Sequence, residues 1–180
     1  NLVWIQPPKT VRGEYISIAG VAGPVVKITQ VVDPSSASVP ADGDKVVSFT
    51  YTLFDEYDNP AAGQELSVSA LVERVGRPEE LQAVSLHSNS HGQVMITYGP
   101  EDSVGIATIT ATVSADENVH VSKDVVFTST APVDMLLSAS PQSMPSRDVK
   151  EDSVSQLRAK VMDESGNPVE GETVTFEVVP

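Results

Sequence analysis

Cysteine is absent from the 180 residues. This excludes a disulfide framework, a thiolate nucleophile and any zinc site built on cysteine. It leaves the compartment open, because a domain of about 100 residues can be stable without bridges. Basic residues are scarce: 11 Lys and Arg stand against 25 Asp and Glu, a formal net charge of -14. No basic cluster offsets these acids, so the surface would repel the phosphates of nucleic acid, which is excluded as a partner. Residues 24–131 carry 15 of the 25 acids, so the charge is spread along the chain and is not an acidic tail. No apolar run approaches the roughly 18 residues of a membrane span. No signal peptide opens the sequence, which begins at NLVWIQPP without methionine and reads as an excerpt or a mature fragment.

What is present is Val and Thr alternating with Ser, at 40% hydrophobic and 5% aromatic residues. β-branched residues in alternation favour pleated strands, and the expected fold class is all-β. Period-two patterns between turn signals mark the strands. Val26, Ile28 and Val31 give an opening strand, and Val47, Phe49, Tyr51 and Leu53 share one face of the next. Leu66, Val68 and Ala70 follow, then Val94, Ile96 and Tyr98, then Ile106 to Val113, and KDVVFTST closes. Short strands punctuated by Gly, Pro, Asn and Asp predict a β-sandwich. Residues 73–92 fit least well. Pro78, Glu79 and Glu80 could open a helix, while Leu81 and Ala83 suit an extended segment, and the extended reading is preferred. Lying where sandwiches carry loops, this segment is a candidate for specific recognition.

The sequence repeats itself. LFDEYDNPAAGQELSVSA (53–70) falls on VMDESGNPVEGETVTFEV (161–178) at an offset of 108, and AGPVVKI (22–28) falls on TAPVDML (130–136) at the same offset. By pattern rather than identity, NLVWI (1–5) falls on ITATV (109–113) and ISIAG (16–20) on DVVFT (124–128). The expected organisation is therefore tandem: residues 1–23 the C-terminal hairpin of a preceding module, 24–131 a complete module, and 132–180 the N-terminal half of a following one.

The repeated motif, DEYDNP or DESGNP, carries alternating oxygen side chains, as an EF-hand calcium loop does. That template fails, because Pro168 stands where the glycine is required, Val174 where the bidentate Glu should be, and Tyr57 breaks the alternation in the first copy. Asp55, Asp58 and Asp163 remain the candidates for a looser Ca2+ site. The preferred reading is a structural turn. Asp55 and Asp163 accept from amides a few residues on, as Asx turns do. Asn59 and Asn167 are held extended by Pro60 and Pro168. Gly166 is the turn glycine, and Gly63 and Gly171 supply a bend before the next strand. The motif then makes a hairpin-like connection between two sandwich strands.

VMDESGNPVEGETVTFEV resembles bacterial immunoglobulin-like domains of the invasin and intimin type, in which a strand runs into an Asp-x-x-Gly-Asn-Pro-Val turn, then Gly, then a Val-Thr-Phe strand. The complete module departs from this pattern, with Asp58 for the turn glycine, Ala61 for valine and Val68 for phenylalanine, while GIATITATV is similar to the family's later strand. The resemblance covers the 108-residue module and both partial copies. It implies immunoglobulin-like β-sandwich modules in tandem, on the surface of a bacterial or archaeal cell or outside it, serving as stalk or adhesion elements. It implies no enzyme activity and no cofactor. Partners would be neighbouring immunoglobulin-like modules of the same or another chain and an unspecified protein or glycan ligand.

No other pattern displaces this reading. His87 and His91 lie among Ser, Asn and Gly and read as exposed loop residues, and His120 is isolated. The adjacent acids Glu79 and Glu80, Glu101 and Asp102, and Asp116 and Glu117 point to opposite faces of any strand, which makes poor acid-base pairs. No Gly-x-Ser-x-Gly elbow and no Asn-x-Ser/Thr sequon occurs. Trp4 reads as a strand residue near a junction. Two alternatives remain: an accessory module of an extracellular carbohydrate-active enzyme, and a subunit of a surface layer or filament assembled by strand complementation.

Overall fold

The computed structural model describes residues 2–3, 16–17, 20–74, 77–146, 148–149 and 153–177. Trp4, Val178 and most of residues 1–19 lie outside them. All regular elements among the described residues are β-strands.

Strands β1 (Leu2–Val3) and β2 (Ile16–Ser17) form a short antiparallel ladder. The next eight strands build two facing sheets. One has the order β3-β5-β8, from Lys27–Asp33, Val47–Phe54 and Gln93–Tyr98. The other has the order β4-β10-β9-β6-β7, from Ser38–Pro40, Asp116–Thr128, Gly105–Val113, Glu65–Arg74 and Arg77–His87. Every pairing is antiparallel except β4 with β10, where Val39 lies opposite Phe127 in parallel register. This is an immunoglobulin-like sandwich: its first strands are split between both sheets, and its last strand, β10, pairs in parallel with an early one. Beyond it, β11 (Asp134–Ser140) and β12 (Gln156–Met162) pair as an antiparallel hairpin.

The alternation read in the sequence places the core. Val47, Phe49, Tyr51 and Leu53 of β5 are fully buried and meet Leu66, Val68, Ala70 and Val72 of β6 and Ala107, Ile109, Ala111 and Val113 of β9. Phe49 and Tyr51, two residues apart on one face, stack with ring centroids 5.9 Å apart. β10 closes the layer with Val125 and Phe127, whose ring tilts against Tyr98.

Three expectations need correction. The opening strand's phase differs: Ile28 pairs with Leu53 and Val32 with Phe49, so Ile28, Gln30 and Val32 face inward. Val31, one residue out of phase, faces solvent at 68% exposure, and Val26 precedes the strand half-exposed. The Asp-Asn-Pro turn is not a hairpin either. It follows β5 in one sheet and leads to β6 in the other, so it carries the chain across the sandwich. His87 ends strand β7 rather than lying in a loop, although it is exposed. Within residues 73–92 the extended segment prevails: β7 pairs with β6, with a bulge between Val68 and Ala70.

Candidate functional site

The two Asp-Asn-Pro turns are built alike. At the first, the Asp55 N–H donates to the Asn59 carbonyl at 3.1 Å and the Asp58 N–H to the Asp55 carbonyl at 3.2 Å. At the second, Asp163 donates to Asn167 and Gly166 to Asp163, both at 3.0 Å. Bridges Phe54↔Pro60 and Met162↔Pro168 follow. The residue just before the asparagine takes positive φ in both, 59° at Asp58 and 82° at Gly166. Aspartate is among the few residues that tolerate this region, which explains how Asp58 replaces glycine. Its carboxylate, directed outward, pairs with Lys27 Nζ at 2.7 Å.

The aspartates at the head of each turn are buried, Asp55 at 3% exposure and Asp163 at 2%. Asp55 Oδ2 accepts the Gly23 N–H at 2.9 Å, and Oδ1 accepts the N–H groups of Tyr57 and Asn59, each at 2.9 Å. Asn59 Nδ2 lies against both oxygens, at 3.2 and 3.1 Å. The Gly23 amide, with those of Asn59 and Tyr57, holds the Asp55 carboxyl down to about 2, against the opposing effect of burial. Asp163 repeats the pattern: Oδ2 accepts from Thr130 N at 3.0 Å and Oδ1 from Asn167 N at 2.8 Å. Burial pushes this carboxyl up, but the amides of Thr130 and Asn167 outweigh it and leave it below the usual range. Each carboxylate thus fastens the backbone ahead of the strand pair it follows, β3–β5 for Asp55 and β11–β12 for Asp163.

Asn167 does more. Its Nδ2 donates to Asp163 Oδ2 at 3.2 Å and to the Asp102 carbonyl at 2.9 Å, and its Oδ1 accepts the Val104 N–H at 3.0 Å. The side chain therefore bridges from the β11–β12 hairpin to the loop ahead of β9. No apolar anchor announces this bridge in the sequence; the only signal is the repeated Asn beside an Asp four residues earlier.

A second turn supports the first. Ser88 Oγ donates to the Ala61 carbonyl at 2.7 Å and accepts the Gln64 N–H at 3.0 Å, and Asn89 Oδ1 accepts from His91 and Gln93. Gly92, with φ of 70°, brings its backbone against Leu53 and Ala61. The HSNSHG stretch is thus a buttress for the Asp55 turn. His87, His91 and His120 are all exposed.

Among the described residues, no three His, Asp or Glu side chains gather as a metal site. The carboxylates of Asp55 and Asp163 face N–H donors, and Asp58 faces Lys27. No helix among the described residues is long and apolar enough to cross a membrane. An apolar cleft of about 230 Å³ opens between β7 and β8, lined by Leu81, Val84, Ile96 and Tyr98 among others.

No family model matches the chain, and no curated protein matches it. Among solved structures it is similar to the crystal structure of invasin, described as a bacterial integrin-binding protein, with 20% identity and a TM-score of 0.49. The match covers 81% of this chain and 28% of that one, so this chain spans little more than a quarter of that protein's length.

Proposed function

We propose that this chain is part of a tandem-repeat protein outside the cell or on its surface, acting without catalysis as a stalk or adhesion element. Residues 24–131 are one complete module, 1–23 end the module before, and 132–180 begin the one after. The bridge from Asn167 to Asp102 and Val104 carries the reading, because a spacer must fix the angle between successive units and this side chain ties one to the next. The carboxylates of Asp55 and Asp163 support it by pinning each connector at the equivalent point. Any ligand contact is assigned to the β7 edge and the cleft beside it, as loops and edges on a rigid frame carry recognition.

Because the chain lacks cysteine, spin labels can be attached uniquely at Glu117→Cys and Ser138→Cys. A rigid spacer gives a narrow distance distribution that broadens in Asn167→Ala. A broad distribution in the parent chain would overturn the stalk reading. Protease treatment of intact cells, releasing the module, checks its surface location.

One observation favours a second reading, assembly by strand complementation. Leu157 holds the register position of fully buried Phe49, yet it is 51% exposed; the pairing corrects the upstream offset to 107, one less than the expected 108, so that Met135 and not Leu136 stands in the position of Ile28, at 49% exposure. A mass in sedimentation that rises with concentration would favour this assembly, and a concentration-independent monomer would sink it.

A further inference from the structure

We propose that Asn59 is a docking site for peptide backbone, and that its occupant is the loop of a preceding sandwich of the same protein corresponding to residues 99–104. The inference rests on the tandem reading above and specifies the contact by which the module joins its N-terminal neighbour.

Asn59 and Asn167 are oriented by the same device, a backbone N–H and a side-chain amide both donating to the aspartate four residues earlier. At Asn167 the remaining amide hydrogen goes to the Asp102 carbonyl and the oxygen accepts the Val104 N–H. At Asn59 the amide nitrogen is shared between both Asp55 oxygens, no hydrogen bond to Oδ1 is formed among the described residues, and the side chain is exposed. The pair of groups that reads a carbonyl and an N–H two residues apart is therefore held ready and unused among the described residues.

The chemistry selects the occupant. A side-chain amide with a donor and an acceptor to offer matches an uncharged backbone carbonyl and N–H two residues apart, as Asp102 and Val104 present them to Asn167 in the loop before β9. That loop in this sandwich is already engaged by Asn167, so the partner of Asn59 is the equivalent loop of another unit. Gly23 lies directly behind on the connector, fastened to Asp55, which limits how far that unit can swing.

The test keeps the whole chain and inserts a second copy of residues 24–130 after Thr130, so that Thr130 takes the place of Gly23 ahead of the inserted Asp55, as it does ahead of Asp163. The new junction then presents Asn59 of the inserted copy to residues 102–104 of the first, and the natural Asn167 junction serves as internal control. Labels at Glu117 of the first copy and Val31 of the inserted copy correspond to the Glu117 and Ser138 pair. The expected result is a distance distribution as narrow as at the natural junction, broadened by Asn59→Ala in the inserted copy only. A broad new junction beside a narrow natural one, or a new junction indifferent to Asn59→Ala, overturns the inference while leaving the tandem reading intact. A natural junction indifferent to Asn167→Ala overturns the tandem reading instead.

Should the longer chain fail to fold, the contact is read between molecules. In Asn167→Ala of the original chain the 102–104 loop is released, and the Asn59 side-chain amide resonances should shift with rising protein concentration. The Val104 amide resonance should shift with them, and should stay in place in the double variant that also carries Asn59→Ala. Absence of any shift in the single variant at millimolar concentration overturns the inference.

Discussion

Asn59 and Asn167 hold the same place in two turns with the same internal hydrogen bonds, yet Asn167 is buried at 7% exposure and Asn59 is open to solvent. The difference is the loop at Asp102–Val104. Replacing Asn167 by Ala removes two neutral hydrogen bonds to the Asp102–Val104 loop, which together contribute about 1–3 kcal/mol. The expected outcome is faster amide hydrogen exchange at Val104, whose N–H loses its acceptor, while Asn59→Ala leaves that amide unchanged.

The Asp55 carboxyl titrates at about 2 in the folded chain against 3.8 for the free group. Because folding lowers this value, the stabilisation is fully present above 3.8 and is lost as pH falls through about 2. Urea unfolding should therefore show Asp55→Asn weakening the protein at neutral pH and flattening the acid limb of the stability curve. An acid limb identical to the parent's would show that Asp55 does not carry it.

Gly63 and Gly92 have the same φ of 70° and different surroundings. A Cβ at Gly63 meets open space, so Gly63→Ala should cost only the left-handed backbone strain, about 1–2 kcal/mol. A Cβ at Gly92 would fall 2.9 Å from both the Ala61 nitrogen and the Leu53 oxygen, where backbone must move. Thermal unfolding should show Gly92→Ala as clearly the worse of the two, and equal losses would contradict the close packing of the two turns.

The Tyr51 hydroxyl is buried and makes no hydrogen bond among the described residues. Burial pushes its phenol well above the ordinary value of 10.0. Tyr51→Phe removes a polar atom that gains nothing from its site, so stability should stay level or rise by about 1 kcal/mol. Phe49→Ala, which empties the neighbouring ring position, should cost about 3–5 kcal/mol. Chemical denaturation of the two variants checks both.

The strands were legible where one face is buried: Val47, Phe49, Tyr51 and Leu53 alternate without interruption because β5 is central in its sheet. The phase of β3 was not, because Val31 and Val32 are adjacent and equally apolar, and only the pairing of Val32 with Phe49 decides between them. The Asp-Asn-Pro turn was legible as a turn from local chemistry. Its crossing between sheets was not, since that depends on β6 pairing with β9 rather than with β5. The bridge from Asn167 to the loop ahead of β9 was hidden for a similar reason: its partners lie 63 and 65 residues earlier and are backbone groups, which leave no mark on residue type. The HSNSHG stretch, read as an exposed loop, has its buried part in Ser88 and Gly92 rather than in its histidines.

β4 and β10 run side by side in the same direction, and Ala41 N to Thr128 O and Val126 N to Ala37 O extend their ladder. One strand lies near the entrance of the sandwich and the other at its exit. Tension between the connectors at Gly23 and Thr130 would pull them in opposite senses along their common axis. The rungs between them would be loaded in shear and would have to give way together, not one after another as in a peeled antiparallel edge. Forced unfolding is governed by the height of such a barrier, so the parallel pair should make the sandwich resist tension applied between its two ends.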